Sequence, residues 1–145
     1  QAESDHNVRA EAANAGARHG GELALQALLD LYARDDHWLV RTSILAAMAA
    51  EDDMPMEPLQ QLAEQGCADD NETVREAGQG LKLRLQQRRL EKLLPLVGDP
   101  QFQPAMVKRT SVAAGGLCQW VHGVVARAQV AAALRERTFM YPQRR

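Results

Sequence analysis

The chain has 145 residues, 46 % of them apolar and 25 % charged, with a formal net charge of −2. That mixture fits one soluble globular domain and excludes wholesale disorder or a collagen-like repeat. Only 4 % of residues are aromatic, so strand formers are thin, a large β-sheet is disfavoured, and the expected fold class is all-α. No apolar run approaches the ~20 residues that a membrane-spanning helix needs. The opening Gln1-Ala2-Glu3-Ser4-Asp5 has neither the basic start nor the apolar stretch of a secretory signal.

The small net charge conceals a split. Residues 1–73 carry four Arg and no Lys against 15 Asp and Glu, a balance of −11. Residues 74–145 carry 13 Lys and Arg against four acids, a balance of +9. A chain divided in this way points to an acidic partner for its basic half, or to docking of the halves on each other. Nucleic acid, an anionic membrane and the tubulin surface all present acidic charge.

In chain order, the first feature is a repeated string. Asp5-His6-Asn7-Val8-Arg9 returns as Asp36-His37-Trp38-Leu39-Val40-Arg41, and more loosely as Asp70-Asn71-Glu72-Thr73-Val74-Arg75. An acidic turn precedes each copy, and a small-residue helix follows it. The aspartates are placed to accept from free N–H groups at the helix starts. Between the copies, Leu23, Leu25, Leu28, Leu29 and Leu31 mark one amphipathic helix, after Gly20-Gly21. Leu59, Leu62, Ala63 and Cys67 mark another, opened by Met54-Pro55-Met56-Glu57-Pro58.

This spacing resembles HEAT-type repeats over about residues 1–90, which implies antiparallel helix pairs, about two and a half of them here. The resemblance further implies that Asp5, Asp36, Asp70, Arg9, Arg41 and Arg75 stabilise the stack. The form at 36–41 is similar to that of HEAT-type bilin lyase subunits and phycobilisome-handling factors. A protein partner along the repeat ridge is the corresponding expectation, with His37 and Trp38 as its contacts.

Past Arg75 a long basic helix is expected. Leu81, Leu83, Leu85, Leu90, Leu93, Leu94 and Leu96 are interleaved with Lys82, Arg84, Arg88, Arg89 and Lys92. Pro95 and Gly98-Asp99-Pro100 should end it. Pro104 should open the next helix, along which Val107, Ala114, Leu117, Cys118 and Val121 share an apolar stripe. A good helix former follows over Val130–Arg137, and then a frayed end, Phe139–Arg145, whose aromatic and arginine side chains suit a docking peptide.

The string Asp99-Pro100-x-Phe102-x-Pro104 … Ser111-x-Ala113-Ala114-x-Gly116-Leu117-Cys118-x-Trp120-Val121 resembles the microtubule-binding tip of the dynein heavy-chain stalk, over about residues 96–134. In that family the segment forms the last helix of the tip and the start of the returning coiled-coil strand. The resemblance implies a basic contact to tubulin at Arg109, with Lys108 beside it and Arg75 and the Lys82–Lys92 stretch as weaker contributors. The sequence departs from the family at Ala105, at Arg127 and at Glu136-Arg137. No counterpart of the outgoing strand or of the first tip helices precedes it.

The leading functional expectation is therefore a non-enzymatic helical binding module. It would comprise acidic HEAT-like repeats over 1–92 and a basic segment over 93–145 that contacts microtubules. A HEAT-type protein–protein scaffold is the alternative. A cytoplasmic setting is expected, cytoskeletal or axonemal on the dynein-like resemblance. No cofactor or metal is expected, because Cys67 and Cys118 stand alone without ligand spacing. Cys118 and His122 share a helical face but lack a third orienting group. Asp35-Asp36, Asp52-Asp53 and Asp69-Asp70 are turn neighbours rather than carboxylates held across a cleft. No nucleotide-binding Gly-x-x-x-x-Gly-Lys-Ser/Thr loop is present. Nucleic acid is not expected either, because no reading motif accompanies the basic half. The core should include Leu25, Leu28, Leu29, Ile44, Leu45, Leu59, Leu62, Val74, Leu117 and Trp120.

Overall fold

The computed structural model describes residues 2–140, with side chains from 5 to 137; the terminal segment 141–145, and with it most of the expected docking tail, lies outside the described residues. These residues form seven α-helices and one short 3-10 turn, with no strand: α1 (Ala2–His19), α2 (Gly21–Arg34), α3 (Trp38–Ala50), α4 (Met56–Cys67), α5 (Glu72–Gly98), the 3-10 turn (Pro100–Phe102), α6 (Pro104–Lys108) and α7 (Val112–Met140). The protein is all-α, as its composition predicts. No helix among the described residues is long and apolar enough to cross a membrane. The chain forms two compact units, Gln1–Arg88 and Arg89–Arg145.

In the first unit each helix turns one stripe inward. Ala10, Ala13 and Ala17 give α1 a buried small-residue face, which packs on α3. Leu25, Leu28 and Tyr32 do the same for α2, and Val40, Ile44, Leu45 and Met48 for α3. Leu59, Leu62 and Ala63 are buried on α4; Val74, Leu81 and Leu85 are buried on α5. Leu29 packs against this core from its edge. The eight core residues expected in this half are thus in or against it. Gly66 and Gly78 let α4 and α5 touch backbone to backbone: a Cβ on Gly78 would stand 2.6 Å from Cys67 N and 2.6 Å from Gly66 C. No side chain fits there.

The repeated arginines form a ladder, but its aspartates lie one residue before the expected ones. Arg9 Nε pairs with Asp35 at 2.6 Å, and Arg41 Nη1 with Asp69 at 2.7 Å. Arg41 Nε also donates to the Asp35 carbonyl at 2.8 Å, and Arg75 Nη1 to the Asp69 carbonyl at 2.8 Å. Arg41 and Arg75 thus each bind the aspartate six residues upstream through its carbonyl, and Arg9 and Arg41 reach the next aspartate along through its carboxylate. The side chains of Asp35 and Asp69 are only 8 % and 9 % exposed, whereas that of Asp36 is 101 % exposed. Asp36 lies 3.6 Å from Arg41 in full solvent, a pairing worth about 0–1 kcal/mol. Asp70 contributes only its carbonyl, to Arg75. Asp5 makes an i,i+4 pair with Arg9 inside α1 rather than a turn before it, because α1 has already begun at Ala2. The helix caps also shift. His37 Nδ1 accepts from Leu39 N, and Asn71 Oδ1 from Thr73 N and Val74 N. The two ladder aspartates brace the caps by accepting from His37 N and Asn71 N.

Three arginines counted among the weaker tubulin contacts are held by the fold. Arg88 is buried and donates to the carbonyls of Asp52 and Met54. Arg84 pairs with Asp52 at 2.6 Å. Together they hold the α3–α4 connection, where Met54 enters the core. Arg75 is held by the Asp69 and Asp70 carbonyls. Helix α5 also continues through Pro95 to Gly98. Proline removes a single i→i−4 bond here, one turn from the helix end, so the pattern stops later than expected.

In the second unit, the stretch that begins at Pro104 is two helices rather than one. Helix α6 stops at Lys108, and α7 restarts at Val112 with Ser111 Oγ accepting from Ala114 N. The break changes which face of α7 is covered. Cys118 and Val125 are buried, while Leu117 and Trp120 are 64 % and 61 % exposed. Neither of those two belongs to a core, contrary to the expectation from a single stripe. The buried face of α7 is fastened through the 3-10 turn. Cys118 Sγ donates to the Phe102 carbonyl at 3.2 Å, and His122 Nε2 meets the same oxygen at 2.7 Å. Gln103 Nε2 donates to the Val97 and Asp99 carbonyls, and Asp99 Oδ1 accepts from Gln101 N. Gly115 is buried under Lys108, whose Cβ stands 2.9 Å from where a Gly115 side chain would begin.

Candidate functional site

Two surfaces carry the expected contact residues, one in each unit. In the first unit, His37 and Trp38 lie at the start of α3, on the rim of a groove of about 670 Å³. The end of α2 supplies Tyr32 to this groove, α3 supplies Trp38 and Arg41, and the α4–α5 connection supplies Asp69 and Asp70. Trp38 is 44 % exposed and so does not pack away between helices. The rings of His6 and His37 stack at 3.9 Å and 9°. His37 and Trp38 continue the column at 5.9 Å and 25°. The cap bond from Leu39 N fixes the His37 ring, because a nitrogen that accepts must carry a lone pair.

The groove's charges are unequal in freedom. Arg41 is committed to the ladder and lies 5.5 Å over the Tyr32 ring. Asp69 is committed to Arg41 and to Asn71 N. Asp36 and Asp70 keep exposed carboxylates. Tyr32 is buried, and its hydroxyl has no hydrogen-bond partner. Burial, and then the Asp69 charge, push its pKa above the usual tyrosine value. On the adjoining ladder rung, burial by itself would raise the Asp35 carboxyl. The Arg9 hydrogen bond and the His37 N–H outweigh it and hold the group below the ordinary carboxylate range.

In the second unit, Lys108 closes α6 and Arg109 caps it. Both are exposed, and neither side chain pairs with an acid among the described residues. Their backbone position is set by the close approach to Gly115. Sequence reasoning missed that glycine as a positioning element. It also missed the ladder pair Asp35 and Asp69, which the doublets Asp35-Asp36 and Asp69-Asp70 conceal by offering two registers.

Cys118 and His122 do meet, but not as a nucleophile and its base. Both face the Phe102 carbonyl, which can only accept, so the thiol and Nε2–H are both donors. The imidazole stacks on Phe102 at 5.7 Å, which makes the group a fastening of the turn to α7. Among the described residues no cluster of three His, Cys, Asp or Glu is arranged to hold a metal. No family model, curated protein or solved structure matches this chain.

Proposed function

We propose that the chain is a non-enzymatic helical binding module that contacts microtubules through Lys108 and Arg109 of its second unit. The observation that supports this reading is the outward, acid-free setting of Arg109, the residue that the stalk-tip resemblance singles out, and of Lys108 beside it. The short α6 followed by the 29-residue α7 suits a tip helix that leads into a returning strand. Gly115 seats the end of α6 on α7, so the cationic pair is presented from a fixed backbone. Exposed positive charge raises the rate of encounter with acidic tubulin, and salt weakens it over a Debye length of about 8–10 Å. Purified chain should therefore pellet with microtubules at low salt and progressively less as salt rises. Gly115→Ala, which forces α6 off its seat, should lower pelleting even with both charges retained. Absence of pelleting at the lowest salt would overturn the proposal.

The groove of the first unit favours a second reading, a protein–protein scaffold that takes a partner along its His37–Trp38 ridge. It requires a different surface and a partner of the opposite charge.

A further inference from the structure

We infer that the groove at the His37–Trp38 ridge receives an arginine or lysine side chain from a basic linear segment of a partner protein. This rests on the scaffold reading of the first unit and is independent of the microtubule contact. Three observations converge. The first is charge. Of the groove's ionic side chains, Arg41 is the one arginine against three carboxylates: it pairs with Asp69 at 2.7 Å and lies 3.6 Å from the solvent-exposed Asp36, so with Asp70 the groove keeps a surplus of negative charge. The surrounding residues 1–73 carry −11, which attracts a basic segment before it docks.

The second is the aromatic wall. Trp38 keeps its indole partly exposed on the groove, and the stack through His37 to His6 holds the column. Indole is the ring on which a cation sits best. A carboxylate beside an exposed indole favours a guanidinium, which can pair with one and stack on the other. The third is Tyr32, 5 % exposed in the lining of the same groove, with an unpartnered hydroxyl. A buried hydroxyl with no partner costs free energy, which favours a small opening of the groove wall that lets an N–H donor reach it. The volume, about 670 Å³, is within the range of pockets that hold a side chain and its flanking backbone.

The test uses the full chain and three fluorescein-labelled dodecapeptides of one Gly/Ser-based sequence. One carries two central arginines, the second has citrulline in their place, and the third has glutamate. Fluorescence anisotropy should show binding of the arginine peptide, with at least tenfold weaker binding of the other two. The double substitution Asp36→Asn/Asp70→Asn, and separately Trp38→Ala, should each weaken the arginine peptide at least fivefold, with helical circular dichroism unchanged. A control with the same loss of charge outside the groove, Glu57→Gln/Glu64→Gln, should change binding less than twofold. Equal weakening by the control would overturn the inference in favour of diffuse attraction. Equal, Trp38-dependent binding of the citrulline peptide would overturn the cationic preference while leaving the ridge as a docking surface. Failure of all three peptides to bind would overturn the inference, and Trp38-independent binding would remove the ridge with it.

Discussion

Arg9, Arg41 and Arg75 in the first unit, and Arg109 in the second with Lys108 beside it, are cations in or next to a motif, yet they have opposite fates. The first three are drawn into a ladder of aspartate side chains and carbonyls, at 2.6 to 2.8 Å. The last two stand in solvent at a helix end. The same contrast holds for apolar residues. Leu45 and Ile44 are fully buried in the first unit, while Leu117 and Trp120 of the second are mostly exposed. A recurring string therefore marks a structural device where its residues find partners. It marks a candidate contact where they find none.

The largest expected effects break this contrast in the core. Leu45→Ala should cost about 2–5 kcal/mol in urea unfolding, by the loss of a fully buried side chain. Leu117→Ala, already in water, should change stability by less than about 0.5 kcal/mol. A comparable loss from both would mean that Leu117 is covered after all.

The ladder sharpens the comparison at the next level. Asp69→Ala removes a charge-assisted bond to Arg41 and the brace on Asn71 N, and should cost about 1–3 kcal/mol. Asp36→Ala should stay within about 0.5 kcal/mol. Each belongs to an aspartate doublet before a Val-Arg helix, Asp69 as its first member and Asp36 as its second. What separates them is which carboxylate of a doublet lies under the neighbouring arginine, and that depends on how the helices stack rather than on local order.

Legibility in the sequence follows the same line. Apolar periodicity located α2, α3, α4 and their core residues, because 3.6-residue spacing directly reflects which face is covered. It failed for Leu117 and Trp120, because the break at 109–111 separates α6 from α7 and a phase carried across it is lost. It failed for Arg88 because the buried stripe of α5, from Val74 through Leu81 and Leu85, reaches a position held by a cation that caps carbonyls. Trp38 and the Lys108–Arg109 pair were legible as outward-facing candidates. Gly115 was not, since a close backbone approach leaves no mark on hydropathy.

A smaller effect is expected with pH. The Asp35 carboxyl is held below its ordinary value of 3.8, so its contribution is complete above about pH 4 and disappears as pH falls through the lowered value. The melting-temperature gap between the native chain and Asp35→Asn should be constant from about pH 5 to 7 and close below about pH 4. A gap that widens on acidification would reverse the sign and contradict the ladder.

The most direct test reverses one charge of each kind. Arg109→Glu and Arg84→Glu change net charge equally, but Arg84 is paired with Asp52 at 2.6 Å on the surface of the first unit. Co-sedimentation with microtubules across a salt series, with a melting curve for each variant, separates them. The account predicts that Arg109→Glu abolishes pelleting and leaves the melting temperature unchanged. It predicts that Arg84→Glu lowers the melting temperature and leaves the pelleting of folded chain largely intact. Equal loss of pelleting in both, or undiminished pelleting of Arg109→Glu, would contradict it.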